Sequence, residues 1–175
     1  YVRHEEQEQL LKSIYKESFE VQFPANSDMS VYFLFRSLQM LKEGGWIAAI
    51  TTNKFMRANY GHPIRRYLSR VLTLSNVIDF GDLPVFGTVG NAISAYPSIV
   101  IGKKFECPTE HTFKVLELPH RLRIALKQDR APVNIETVRN ELRRLPEMAT
   151  ADATSDFPQS LFRTDQDNWV LERPE

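Results

Sequence analysis

The sequence predicts an α/β fold with a mixed sheet followed by a helical extension, and three observations carry that prediction. A helical apolar pattern is cut off at Gly44-Gly45, and the next stretch, "WIAAITT", is a continuous apolar run that closes in polar residues. A second helix-then-strand succession, "HPIRRYLSRVL" and "LSNVIDF", repeats the arrangement. The strand "ISAYPSIVIGKK" then follows across a gap too short for a parallel crossover, which needs about a dozen residues including its helix. This last pair is therefore expected to run antiparallel.

Taken in order, Leu10, Leu11, Ile14, Tyr15 and Phe19 recur at helical spacing. Glutamates come early and Lys12 and Lys16 later, the order a helix dipole favours, so a helix is predicted over 5–19. "FPANSD" interrupts it, and Ser27 or Asp28 suits the N-cap of a second helix that runs to Lys42 and ends at the glycine pair. Val31, Leu34, Phe35, Leu38 and Leu41 form the core stripe of that helix. Phe33 lies roughly 135° from the stripe's centre at about 100° per residue, beside Met40. The helix is thus apolar on a second face, which either a further layer or a ligand would cover.

"WIAAITT" reads as a buried strand of a parallel sheet. Ligands of such sheets gather beyond the carboxyl ends of the strands, so "TTNK" stands where chemistry usually occurs, unless it is only a polar strand end meeting water. Pro63 fits the first turn of the next helix. "GDLPVFGTVGN" reads as a loop, and Pro97 inside the following strand argues for an edge position or a bulge. "FKVLEL" is a short strand, and helices are predicted over 119–128 and 135–147. Residues 149–166 have linker composition, and "NWVL" resembles the first strand of a further unit. There is no G-x-G-x-x-G after a strand.

Charge is balanced over the 175 residues, with 22 basic and 22 acidic side chains, so whole-chain charge gives no reason to expect a polyanion. The distribution is uneven, however. From Gly44 to Ile78 there is no Asp or Glu, while Lys54, Arg57, Arg65, Arg66 and Arg70 are all basic. Either a solvated face or a phosphate-contacting wall accounts for that stretch. One cysteine excludes an internal disulfide, and with no apolar run of about 18 residues a soluble intracellular protein is expected. The four histidines show none of the close spacings with Cys, His or Glu that a zinc site leaves, so no metal is expected.

In order along the chain, "YVRHEE", "SDMSVYFLFRSLQMLKEGGWIAAITTNKFMRANYG", "IRRYL", "VIDFGDLPVF" and "SIVIGKK" resemble the later half of a bacterial amino-methylating DNA methyltransferase catalytic domain. The likeness covers about 1–104 and is closest to γ-class N6-adenine methyltransferases of combined restriction-modification proteins and phage-defence methylases. It implies the C-terminal half of a Rossmann-like methyltransferase sheet, with a partial catalytic domain over 1–118 and a helical linker over 119–175 leading towards a target recognition domain.

The resemblance also implies S-adenosylmethionine as cofactor, double-stranded DNA as partner and the bacterial cytoplasm as location. The family's catalytic signature is Asn-Pro-Pro-Tyr, which Tyr1 would close, with Asn-Pro-Pro just upstream. Tyr1 would stack on an adenine flipped out of the duplex, and Phe86 matches the family's second stacking face. Phe33 matches a helix aromatic that contacts the cofactor's adenine. Asp28 matches a cofactor-binding position, and is equally explained as a helix cap. Lys54, Arg57, Arg65 and Arg66 would contact DNA phosphates.

Without the family's cofactor loop and catalytic triplet, the 175-residue piece is expected to be inactive alone. Its cut sheet would expose an edge through which two copies could pair. The competing reading is a non-catalytic methylase-like module for DNA binding or assembly. Transfer to a protein or small molecule is disfavoured by the acid-free stretch and by the tail leading towards another domain.

Overall fold

The fold is that of a computed structural model, which describes residues 6, 7, 9, 10, 13, 14, 22–24, 27–81, 86–88, 91–93, 96–117, 140, 143, 155–162, 168, 169 and 171. Of the helix predicted over 5–19, the described positions 6, 7, 9, 10, 13 and 14 are helical. In the region predicted helical over 135–147, Asn140 and Arg143 are helical, while 119–128 lies outside the described residues.

The first complete helix, α1, spans Met29–Met40 and starts on Asp28, whose side chain accepts from the Ser30 N–H. Gly44, at φ 76°, makes the turn that a residue with a Cβ would make only under strain. The chain then returns as strand β1, Trp46–Thr52. Lys104 fastens this turn. Its Nζ donates to the Leu41 carbonyl at 2.7 Å, meeting an orphan acceptor at the negative end of the helix, and its N–H donates to Gly45 O at 2.8 Å.

After β1 come a short helix α2, Lys54–Arg57, a 3-10 turn, Asn59–Gly61, and helix α3, His62–Val71, with Pro63 in its first turn. Strand β2 is Leu72–Asp79. The predicted loop that follows holds a small hairpin, β3 Phe86–Thr88 and β4 Asn91–Ile93, paired antiparallel. Strand β5, Pro97–Lys104, places Pro97 at its first position, where a missing N–H matters least. Strands β6, Thr112–Glu117, and β7, Ser155–Pro158, complete the main sheet.

The sheet order is β1-β5-β2-β6-β7. β5 runs antiparallel to both β1 and β2, β6 is parallel to β2, and β7 is antiparallel to β6. The expected mixed α/β sheet with an antiparallel β2–β5 pair is therefore present. β1, expected as a buried strand of a parallel sheet, is the edge of the described sheet and pairs antiparallel with β5, with Trp46 62% and Ile50 65% exposed on one face. Pairing of two copies at that edge gains no support from this geometry.

One face of the sheet packs on α1 and α3. Leu72, Leu74, Val77 and Val100 meet Val31, Leu34, Phe35, Leu38, Ile64 and Leu68 in one buried cluster. The cluster also takes in Phe113, Phe157, Phe162, Trp169 and Leu171. Phe157, Phe162 and Trp169, from the stretches expected as linker and as the start of another unit, thus belong to this core. Phe157 and Phe162 ring the Phe113 side chain, and Trp169 packs on Phe55 and Phe162. Ser155–Pro158 pairs as a strand with one apolar anchor, Phe157, against Phe113 of β6, which leaves no periodic mark in the sequence.

Candidate functional site

Because β5 lies antiparallel between β1 and β2, the carboxyl ends of β1 and β2 meet the amino end of β5 on one rim of the sheet. The ladder closes there with Thr52 opposite Pro97 and Asp79 opposite Ser98. Polar contacts continue beyond it. The Asn53 N–H donates to Tyr96 O at 2.7 Å, and the Phe80 N–H donates to Pro97 O at 3.1 Å. Asn53 Nδ2 donates to Asp79 Oδ1 at 2.9 Å, and the Gly81 N–H donates to the same oxygen at 2.9 Å.

Tyr96 is held at φ 44°, in the left-handed region that a residue with a Cβ seldom occupies. Its ring is partly exposed, and Lys54 Nζ lies 5.3 Å from the ring centroid, within cation–π range. The rim thus presents an ordered cation, an aromatic ring and a bridged amide–carboxylate pair. Sequence reading placed "TTNK" on this rim but missed Asp79 and Tyr96. The acid that ends the apolar run "VIDF" was the available signal for the first, whereas the position before Pro97 argues for extended backbone and hides the left-handed Tyr96.

Phe86 opens β3 on the segment that leaves this rim, and its side chain is 42% exposed, so it is not a core residue. Phe33 is 70% exposed on α1, flanked by the exposed Met29 and Met40. The second apolar face of the helix is therefore exposed rather than covered by a packed layer. Asp28 caps α1 through Oδ1, which answers the cap reading while its other oxygen forms none of the described hydrogen bonds. Tyr1 lies outside the described residues.

The basic residues divide. Lys54 and Arg57 on α2 and Arg66 on α3 are exposed. Arg65, expected among the phosphate contacts, is only 5% exposed, and its Nη1 donates to Phe55 O at 2.7 Å and Ala58 O at 2.8 Å. Its helical position turns it inward, where burial lowers its pKa from arginine's ordinary value. Arg65 is therefore a structural donor, a correction to the expected wall.

Residues 1–86 match the Eco57I restriction-modification methylase family. The chain is 37% identical over 75 residues to the type II restriction enzyme and methyltransferase RM.Eco57I of Escherichia coli, covering 42% of this chain and 7% of that protein. It is 30% identical over 101 residues to the type II methyltransferase M.PaeR7I of Pseudomonas aeruginosa, covering 58% of this chain and 17% of that one. It thus spans less than a fifth of the length of either relative. The type IIG restriction endonuclease BpuSI superposes with a TM-score of 0.54 at 11% identity, over 93% of this chain and 18% of that chain, a likeness of fold. The chain is similar to restriction-modification methylases in sequence over its first half, the half that carries α1, the β1 rim and Phe86. Among the described residues no helix is long and apolar enough to cross a membrane.

Proposed function

We propose that this chain is the later half of the catalytic domain of a longer DNA methyltransferase. That protein transfers the methyl group of S-adenosylmethionine to N6 of adenine in double-stranded DNA, within a restriction-modification or phage-defence system of the bacterial cytoplasm. The match of residues 1–86 to restriction-modification methylases carries this reading, because all the proposed site residues fall inside it.

S-adenosylmethionine supplies an electrophilic methyl group when bound. The open ring face of Phe33, between two exposed methionines, fits a flat purine, and Asp28 keeps one carboxylate oxygen for a hydroxyl donor. These two residues hold the cofactor. The amino group of adenine is out of reach inside a duplex, so the base is flipped out and held. Phe86 offers an exposed aromatic face for this, opposite Tyr1, and stacking worth roughly 1–3 kcal/mol offsets much of the unstacking. Lys54, Arg57 and Arg66 contact phosphates, supplying affinity without sequence readout. A target recognition domain in the longer protein selects the site.

The test is to incubate the whole protein that carries this chain with duplex DNA and methyl-labelled S-adenosylmethionine, then digest the DNA and identify the labelled nucleoside. Label in N6-methyladenine is expected, and label in a cytosine derivative would refute the adenine reading. Binding of DNA with a salt-dependent affinity, but with no transfer, would favour the non-catalytic module instead. The 175-residue piece alone is expected to transfer nothing.

A further inference from the structure

The Asn53–Asp79 bridge occupies an unusual place. Asn53 follows β1 and Asp79 ends β2, strands that are not neighbours, since β5 runs between them. Two strand spacings of about 4.8 Å separate β1 from β2, and the bridge closes over the amino end of β5 where the backbone ladder stops. Beneath it the Asn53 N–H and the Phe80 N–H hold consecutive carbonyls, of Tyr96 and Pro97. All three strand ends are thereby fastened at one point.

Three features depend on that point. Lys54 is the next residue after Asn53, and its ammonium sits over the ring of Tyr96. Tyr96 keeps its left-handed backbone while its carbonyl is held by Asn53. The chain that leads from β2 to Phe86 turns at Gly81, at φ 53°, whose N–H is anchored on the same Asp79 oxygen as the bridge. A carboxylate that accepts both an amide and a backbone N–H sets direction as well as distance.

We infer that Asn53 and Asp79 form a positioning pair for the methyl-transfer site, an inference that rests on the methylase reading above. The pair sets the departure of the loop that carries the base-stacking Phe86 and the rim position of Lys54 and Tyr96. It touches neither cofactor nor base. Its contribution is orientation, where a displacement of about 1 Å can lower a rate by up to about a hundredfold.

The test uses the whole protein, the variant N53D and the swapped double variant N53D/D79N. N53D sets two carboxylates against each other and breaks the bridge. The swap restores the side-chain bridge with donor and acceptor exchanged, the amide nitrogen at position 79 donating to the carboxylate at 53, while the Gly81 N–H loses the oxygen it shared with the bridge. N53D is expected to lower kcat about tenfold or more, leave the affinity for S-adenosylmethionine unchanged and speed amide exchange over residues 80–88. The swap is expected to recover part of kcat, through the restored position of Lys54 and Tyr96, while exchange over residues 80–88 stays fast because the Gly81 anchor is lost.

Wild-type exchange over 80–88 in N53D would overturn the inference, and so would faster exchange with wild-type kcat, which leaves a merely structural bridge. A swap that recovers no kcat over N53D would overturn the pairing. A wild-type protein that methylates no DNA would instead refute the functional reading, and the exchange measurement would then decide whether the bridge holds the loop.

Discussion

The Arg65 guanidinium donates to the carbonyl of Phe55 across 2.7 Å. The same Nη1 reaches Ala58 O at 2.8 Å, so one buried cation satisfies two carbonyls at the turn where α2 gives way to α3. Hydrogen bonds from a charged donor are worth roughly 1.5–3 kcal/mol each, and removing the donor leaves both acceptors inside without it. Arg65→Met is therefore expected to lower the unfolding free energy by about 2–4 kcal/mol in urea titration, whereas Arg66→Met, one residue along but exposed, should change it by under about 0.5 kcal/mol. Equal losses for the two variants would contradict the division of the basic residues.

Gln159 performs a comparable service for β2. Its side chain is fully buried, Oε1 accepts from the Leu74 N–H at 2.8 Å, and Nε2 donates to Leu72 O at 2.6 Å. On that side of β2 the neighbouring strand β6 pairs only from Asn76 onward, so the amide acts as a one-residue strand for the preceding stretch. Gln159→Leu keeps the volume and removes both partners. It is expected to cost about 2–4 kcal/mol, the penalty for two unpaired buried backbone groups, read as a lowered urea midpoint with unchanged slope.

These two residues mark where the sequence was legible. β1 was located to the residue, and the Gly44 turn, the Asp28 cap and the antiparallel β2–β5 pair followed from periodicity, glycine and gap length. Such signals are local. The pairing of β7, the burial of Trp169 and the bond from Gln159 to β2 join residues more than thirty positions apart, and a polar-looking segment carries no mark of them. Position 61 is intermediate. The need for glycine there is spatial, since a Cβ at position 61 would lie 1.9 Å from Phe55 O. At the site, Phe33 lay off the core stripe of its helix and Phe86 was singled out by the family resemblance, while Arg65 was misplaced because an acid-free stretch does not reveal which face of a helix each arginine occupies.

Tyr67 gives a dependence on pH with a defined sign. Burial raises its pKa, and the negative charge of Glu43 raises it further. The folded state therefore holds the phenol proton above pH 10, where an unfolded tyrosine has begun to lose it. The stability this contributes is fully present below about pH 10 and is lost as pH rises towards the folded pKa. The difference in melting temperature between wild type and Tyr67→Phe should be constant from pH 7 to about 9 and shift above pH 10, with wild type losing more. A difference that stays flat through pH 11 would show that the phenol titrates alike in both states.

Phe33 and Phe86 are both exposed aromatics, yet they lie on different elements, one on α1 and the other at the start of β3, and the proposed function gives them separable roles. If Phe33 stacks on the cofactor's purine, Phe33→Ala removes roughly 1–3 kcal/mol of stacking and should weaken S-adenosylmethionine binding by about fivefold to a hundredfold in calorimetric titration. Phe86→Ala should leave that affinity nearly intact and lower the turnover of DNA, because the flipped base loses one of its two faces. Neither ring is in the core, so both variants should keep the wild-type melting temperature within a few degrees. The discriminating result is the crossing of the two effects. A Phe86→Ala protein with wild-type turnover would remove Phe86 from the base site, and one that lost cofactor affinity as well would place both aromatics in a single pocket.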